Sequence, residues 1–150
     1  MVVRTFADLV GRVPPQSPVD VVNGHGGNYV LSSVVQEANE RERRMALFPS
    51  RSDWDAARFA AEMETTGHED MHAGELETSL LLSSDPEVVR SSVNAADHDA
   101  SERPLLLTQG MQGCAPSGII GRPSLASAEK GKIALVTLVE RFGAHMEALI

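Results

Sequence analysis

A single cysteine, Cys114, stands in these 150 residues, so no disulfide can form within the chain and a reducing compartment is the expected setting. Aromatic residues are scarce at 4%, with one Trp and one Tyr. Positive charge is also in short supply: 13 Lys and Arg face 21 Asp and Glu, for a net charge of −8. Phosphate contacts need clustered cations, so a nucleic-acid partner is not expected. The one local basic cluster, Arg41, Arg43 and Arg44 with Glu40 and Glu42 between, reads as a solvated helix face. No apolar run approaches the 18 or so residues of a membrane span, and no signal-peptide pattern follows Met1. A cytoplasmic protein without a membrane partner is expected, of a length suited to one domain over residues 1–150.

What is present is organised around Val19 to Asn28, an apolar run that breaks into Asn23-Gly24-His25-Gly26-Gly27-Asn28. Such a segment reads as a buried strand ending in a sharp turn, because glycine tolerates positive φ. The turn would hold His25 beyond the carboxyl end of a strand, where open α/β sheets bind ligands. Before it, Phe6, Leu9, Val10 and Val13 have helical spacing, and Pro14 to Pro18 form a connector. After it, Val30, Leu31, Val34, Val35 and Ala38 share one helical face, which predicts a crossover helix leading to a parallel strand at Met45–Phe48. Ser50 to Asp53 supply turn and cap residues for a helix over 54–64, carrying Trp54, Ala57 and Ala61 on one side and stopped by Gly67.

The second informative stretch is Asp70-Met71-His72-Ala73-Gly74-Glu75-Leu76-Glu77-Thr78-Ser79, followed by Leu80-Leu81-Leu82. A helix starting near Gly74 is predicted to bury its leucines and leave His72 and the acidic residues at its opening turn. Asp85-Pro86-Glu87 reads as a further helix start. Residues 94–104 read as loop, Leu105-Leu106-Leu107 as a third strand or buried segment, and Gly110 to Pro123 as an irregular, turn-rich path. The final helix carries Ile133, Val136, Val139, Phe142, Met146 and Leu149 at three- and four-residue steps.

Imidazole with carboxylate suits Zn, Mn or Fe. His25 and His72 with Glu75 and Glu77 are thus a candidate metal site, and spacing does not choose between the glutamates. If residue 72 were already helical, Glu75 would share its face and Glu77 would not; if His72 lies in the preceding turn, either serves. The glycines at 24, 26 and 27 match neither the dinucleotide fingerprint nor the P-loop.

Taken together, the two motifs resemble the creatininase (creatinine amidohydrolase) family: Asn23-Gly24-His25-Gly26-Gly27-Asn28 after a strand, then His72-Ala73-Gly74-Glu75-Leu76-Glu77-Thr78-Ser79 before a leucine run. Gly118-Ile119-Ile120-Gly121-Arg122-Pro123, with Ala126, Glu129 and Gly131 behind it, is similar to the family's approach to its last helix. The resemblance runs from about Phe6 to the C-terminus. It implies an α/β class, three-layer α/β/α sandwich with a mainly parallel sheet, often oligomeric, and hydrolysis of a carbon–nitrogen bond in a small or cyclic amide with two divalent metals. It also points to His25 and Glu77 as metal ligands, leaving Glu75 secondary, and to His72 in proton transfer with Asp70 or Glu69 orienting it. Gly26, Gly27 and Asn28 would let substrate approach the backbone, and Trp54 falls where family members carry substrate-covering aromatics. His68, His98 and His145 match nothing and read as surface residues.

Family members also carry an N-terminal Glu-x-His-Gly motif and a bridging aspartate, and neither occurs here. The expectation is a C-terminal, N-terminally truncated portion whose two protein ligands fall short of the usual three. Two further readings stand beside the small-amide hydrolase: a peptidase of the same family that trims a mycofactocin-type precursor peptide, and an inactive remnant or partner subunit. Homo-oligomerisation is expected from the exposed sheet edge of such a portion.

Overall fold

The computed structural model describes residues 17–149. The helix expected at residues 4–13, and the start of the proline connector, lie outside them. In chain order the elements are β1 (Val19–Val22), α1 (Val30–Ala38), β2 (Met45–Phe48), α2 (Arg51–Ala60), α3 (Glu75–Ser84), α4 (Leu106–Cys114) and α5 (Ala128–Ala148). Short 3-10 turns stand at Pro86–Val88, Ser91–Ala95 and Pro123–Leu125. This is an α/β chain with a parallel pair of strands. The residues form two compact units, one from the segment up to Asp53 together with Val139 onward, the other from Trp54–Leu138.

In the first unit β1 and β2 run parallel, with Val19 opposite Met45 and Val22 opposite Phe48, as a strand, helix and strand sequence requires. Asn39, just past α1, makes the return possible. Its side-chain oxygen accepts the amides of Arg44 and Met45 at 2.8 Å, and its NH₂ donates to the Met45 carbonyl at 2.7 Å. One amide side chain thus satisfies three backbone groups that the turn would leave unpaired. Ser50 and Asp53 form a reciprocal cap at the start of α2: the Asp53 carboxylate accepts the Ser50 amide at 2.8 Å, and the Asp53 amide donates to Ser50 Oγ at 3.3 Å. The helix consequently begins at Arg51 and ends at Ala60, well short of Gly67.

Asp53 is also the charge centre of this unit. Its buried carboxylate takes Arg141 Nε at 2.6 Å and His145 Nε2 at 3.0 Å. Phe48 sets its ring edge against both Phe142 and His145, with centroids 5.1 Å apart in each case. His145 is therefore a packed, ion-paired residue rather than a surface one. Burial alone would raise the Asp53 pKa, but the Ser50, Arg141 and His145 hydrogen bonds outweigh it and hold the carboxyl at about 2. Asp20 on β1 has the opposite balance. Both its oxygens are buried without a hydrogen bond, and burial pushes its pKa up although the His145 charge pulls it down.

In the second unit α5 crosses α3 at Gly131, where a Cβ would lie 1.9 Å from the Ser79 carbonyl oxygen. The buried face of α5 is Gly131, Ala134 and Leu138, and the same face continues to Arg141 and His145. This corrects the apolar stripe read from sequence: Val136 is 51% and Val139 72% exposed. Helical spacing found the helix but not its whole packed face: Phe142 of the stripe meets Phe48, while Gly131, Ala134 and Leu138 are buried in place of Val136 and Val139. The leucine run of α3 is corrected likewise, since Glu75, Leu76, Thr78 and Ser79 are buried while Leu81 is exposed. Leu105-Leu106-Leu107 is not a strand but opens α4, with Leu107 84% exposed. The helix expected from Asp85-Pro86 is a single 3-10 turn, and the Asp85 side chain makes no capping bond. His98 is half-buried rather than on the surface, with Nε2 3.0 Å from the Cys114 carbonyl; His68 is exposed, as read.

Two outcomes test this packing. Gly131→Ala is expected to destabilise by about 1–3 kcal/mol through overpacking at the crossing. Gly143→Ala on the same helix, where a Cβ meets nothing within 4 Å, is expected to gain about 0.5–1 kcal/mol. Urea unfolding of both variants checks the opposite signs. Because the Asp53 pKa is depressed, its stabilisation is complete above its ordinary value near 3.8 and is lost as pH falls through about 2. Asp53→Asn should cost about 2 kcal/mol at pH 7 and much less at pH 2, as read by unfolding curves at the two pH values.

Candidate active site

The turn after β1 is built by its two asparagines. Parallel pairing continues one residue past the strand, with the Asn23 amide donating to the Phe48 carbonyl at 2.6 Å. The Asn23 side-chain oxygen then accepts the His25 amide at 3.3 Å and the Asn28 NH₂ at 2.9 Å, drawing the ends of the turn together. The Asn28 amide closes it by donating to the His25 carbonyl at 3.3 Å. The expected positive φ angles are not here. Among the described residues the left-handed glycines are Gly110, Gly118 and Gly121. Gly27 lies under the His25 ring, where a Cβ would stand 2.7 Å from Nε2 and turn the exposed imidazole aside, whereas Gly24 and Gly26 face open space. The turn is exposed, and the His25 imidazole folds back over Gly27.

The His72 motif is held from beneath by two buried carboxylates. Asp70 takes the Glu75 amide at 2.6 Å and the Leu76 amide at 2.9 Å, so it caps the first turn of α3 from the loop before it. Arg58 pairs with its Oδ2 at 2.8 Å and donates to its backbone carbonyl at 3.0 Å. Glu75, with no exposed surface, accepts the amides of Glu64 and Thr65, the Thr65 hydroxyl at 2.7 Å and Lys130 Nζ at 2.6 Å. Burial alone would raise its pKa, but these donors bring the net shift below the ordinary carboxylate value. Both oxygens of each group are committed inside the fold. Glu75 and Asp70 thus spend their carboxylates on partners beneath the motif.

His72 itself is pinned through its backbone. Its amide donates to the Ile120 carbonyl at 3.0 Å, and the Ile120 amide returns to the His72 carbonyl at 2.9 Å. On the other side of the same segment Gly121 pairs with His98. Gly121 sits at φ +151°, and a Cβ there would meet Asp70 Oδ1 at 2.3 Å and Gly74 Cα at 2.7 Å, so the crossing of the two loops needs both glycines. Ala73, between His72 and Gly74, takes a left-handed φ of 53°, a conformation that costs a non-glycine residue about 1–2 kcal/mol. It is clamped there: its amide donates to Glu77 Oε2, and its carbonyl accepts the Thr78 hydroxyl at 3.3 Å.

This brings His72 and Glu77 together, with Nδ1 3.7 Å from Oε2 and both side chains about two-fifths exposed. Glu69 turns back instead onto the Thr66 amide and hydroxyl. Trp54 is half-buried on α2, and His25 belongs to the other compact unit. For a divalent metal the donor types fit and the number does not: among the described residues no three of His, Cys, Asp and Glu converge as a ligand set. An imidazole and a carboxylate, both part-exposed, thus stand side by side at the opening of α3. Sequence reading missed Arg58 and Lys130, since a basic residue far along the chain carries no local sign of the carboxylate it will meet.

Comparison with known proteins agrees with this motif set. Residues 19–146 match the creatininase family, described as creatinine amidohydrolase. The chain is 33% identical over 122 residues to the mycofactocin precursor peptide peptidase of Mycobacterium ulcerans (strain Agy99), covering 79% of this chain and 44% of that protein. The chain thus spans under half the length of the relative it matches. No solved structure matches it. With its strand-end Gly-His-Gly-Gly turn, its His72 and Glu77 pair and a family match over most of its length, the chain belongs to the creatininase family.

Proposed function

We propose that the chain supplies part of the active site of a divalent-metal-dependent hydrolase that cleaves a carbon–nitrogen bond in a small or cyclic amide. The observation that carries this reading is the juxtaposition of His72 and Glu77 on a rigidly capped helix start, within a creatininase-family chain. His72 is the proton-transfer group, delivering a proton to the departing nitrogen. His25 and Glu77 are the residues of this chain that would hold metal. A bound divalent ion would polarise the amide carbonyl and lower the pKa of water towards about 7. Gly26, Gly27 and Asn28, in an exposed turn, leave room for substrate beside the His25 ring.

The complete site would sit in a three-layer α/β/α sandwich, in a cytoplasmic homo-oligomer. The exposed apolar residues Val136 and Val139 on α5 support association between copies. No helix among the described residues is long and apolar enough to cross a membrane. A second reading is favoured by the similarity to a precursor peptide peptidase: the substrate is a precursor peptide rather than a small amide. Both use the same residues and differ in what must fit over the turn at 24–28.

The test combines metal analysis with a substrate panel. Zn, Mn and Fe content of the purified chain should fall in His25→Ala and Glu77→Gln. His72→Gln should keep its metal while losing about 10²–10⁴-fold in kcat on a hydrolysed substrate. Cyclic amides assayed beside short peptides decide between the two substrate classes. A chain that holds well under one divalent ion, unchanged by His25→Ala, and hydrolyses nothing would instead be a remnant or partner subunit.

A further inference from the structure

We infer that Asp70, through the start of α3, is the positioning residue that sets His72 against Glu77; this rests on the proton-transfer role proposed for His72. His72 is fixed from one direction by the buried Ile120, through a reciprocal pair of backbone bonds. Glu77 is fixed from another, since it stands on the first turns of α3. The separation of their two backbones is therefore set by how α3 begins relative to the segment 70–72. That is what the Asp70 carboxylate determines. One oxygen holds the Glu75 amide, the other holds the Leu76 amide and Arg58, and four residues of loop are closed between the carboxylate and the helix.

Three observations separate this from an ordinary cap. The Asp70 side chain is almost completely buried, and its own backbone carbonyl is held by the same Arg58 that pairs with its carboxylate. Arg58 therefore fixes both ends of the aspartate. The space around Asp70 exists only because positions 74 and 121 are glycine: a Cβ on Gly74 would fall 1.5 Å from Oδ1. Finally, the loop it closes contains Ala73 in a left-handed conformation, held by Glu77 and Thr78. A turn in that state persists only while its surroundings over-determine it. With Asp70 weakened, the Ala73 strain has a route to relax, and relaxation rotates the peptide that follows His72.

The experiment uses the full chain, with ring nitrogens of histidine labelled by ¹⁵N, in wild type, Asp70→Asn and Arg58→Lys. In wild type, the His72 ring shifts should report one dominant tautomer. In Asp70→Asn they should move towards a tautomer mixture, with changed amide shifts at 72–77 and preserved shifts in β1, β2 and the distant part of α5. Arg58→Lys keeps the charge pair but loses the second bond to the Asp70 carbonyl, and should give a smaller change in the same direction. On any substrate the wild type hydrolyses, kcat should fall on the order of tenfold to a hundredfold with KM nearly unchanged.

If Asp70→Asn does not fold, Arg58→Lys decides alone. Unchanged His72 ring and 72–77 amide shifts in a folded variant, with only the unfolding midpoint lowered, would overturn the inference and leave Asp70 a purely structural cap. A wild type that hydrolyses nothing would count against the proposed function, while the ring shifts would still decide whether Asp70 positions His72.

Discussion

The arrangement of the His72 motif depends on one desolvated interaction, the Asp70 carboxylate held between the Arg58 guanidinium and the first amides of α3. A helix start exposes several amides with no partner in the helix, and a negative charge placed there satisfies two of them while meeting the positive end of the helix dipole. In a buried setting that geometry tolerates little change, because removing one member of a buried ion pair costs about 3–5 kcal/mol. Glu75 is a second buried carboxylate held by a cation, Lys130, here together with the loop amides of Glu64 and Thr65. The two acidic residues closest in sequence to His72 and Glu77 thus serve the scaffold, which leaves Glu77 as the half-exposed carboxylate beside the imidazole.

The other compact unit follows the same logic with a different donor set. Asp53 joins the cap of α2 to Arg141 and His145 on α5, and the Phe48 ring packs against that histidine. Charged groups here do what aromatic packing does in better-supplied chains. With aromatics at 4% of residues, contacts between elements rest on glycine crossings, alanines and paired charges. Gly131 against Ser79 and Gly121 against Gly74 are both places where backbones meet with no room for a side chain.

His25 shows what the two motifs share and what separates them. Each histidine stands near a glycine with a close neighbour: Gly27 under the exposed His25 ring, which can swing away, and Gly74 beside the buried Asp70 carboxylate, which cannot. In the first the neighbour is the ring itself, and in the second it is the scaffold. The His25 turn is exposed and held by two asparagines, whereas the His72 turn is strained and braced by buried charge. The buried, paired charge is concentrated beneath the His72 motif.

Family membership and the elements with strong local signals were legible in the residues themselves: the parallel strands Val19–Val22 and Met45–Phe48, the crossover helix, the helix start at Gly74 and the long final helix. Strand alternation, helical spacing and breaker residues are local, and so is the motif set that carries the family resemblance. The tertiary structure decided the rest. It turned Leu105-Leu106-Leu107 into the opening of an exposed helix, and gave α5 a buried face of Gly131, Ala134 and Leu138 in place of Val136 and Val139. It assigned Glu75 to Lys130 and Asp70 to Arg58, and left Glu77 beside His72. The physical reason is common to all of these. Propensity and spacing act over a few residues, but which carboxylate is desolvated, and by which cation, depends on partners 12 to 55 positions away along the chain.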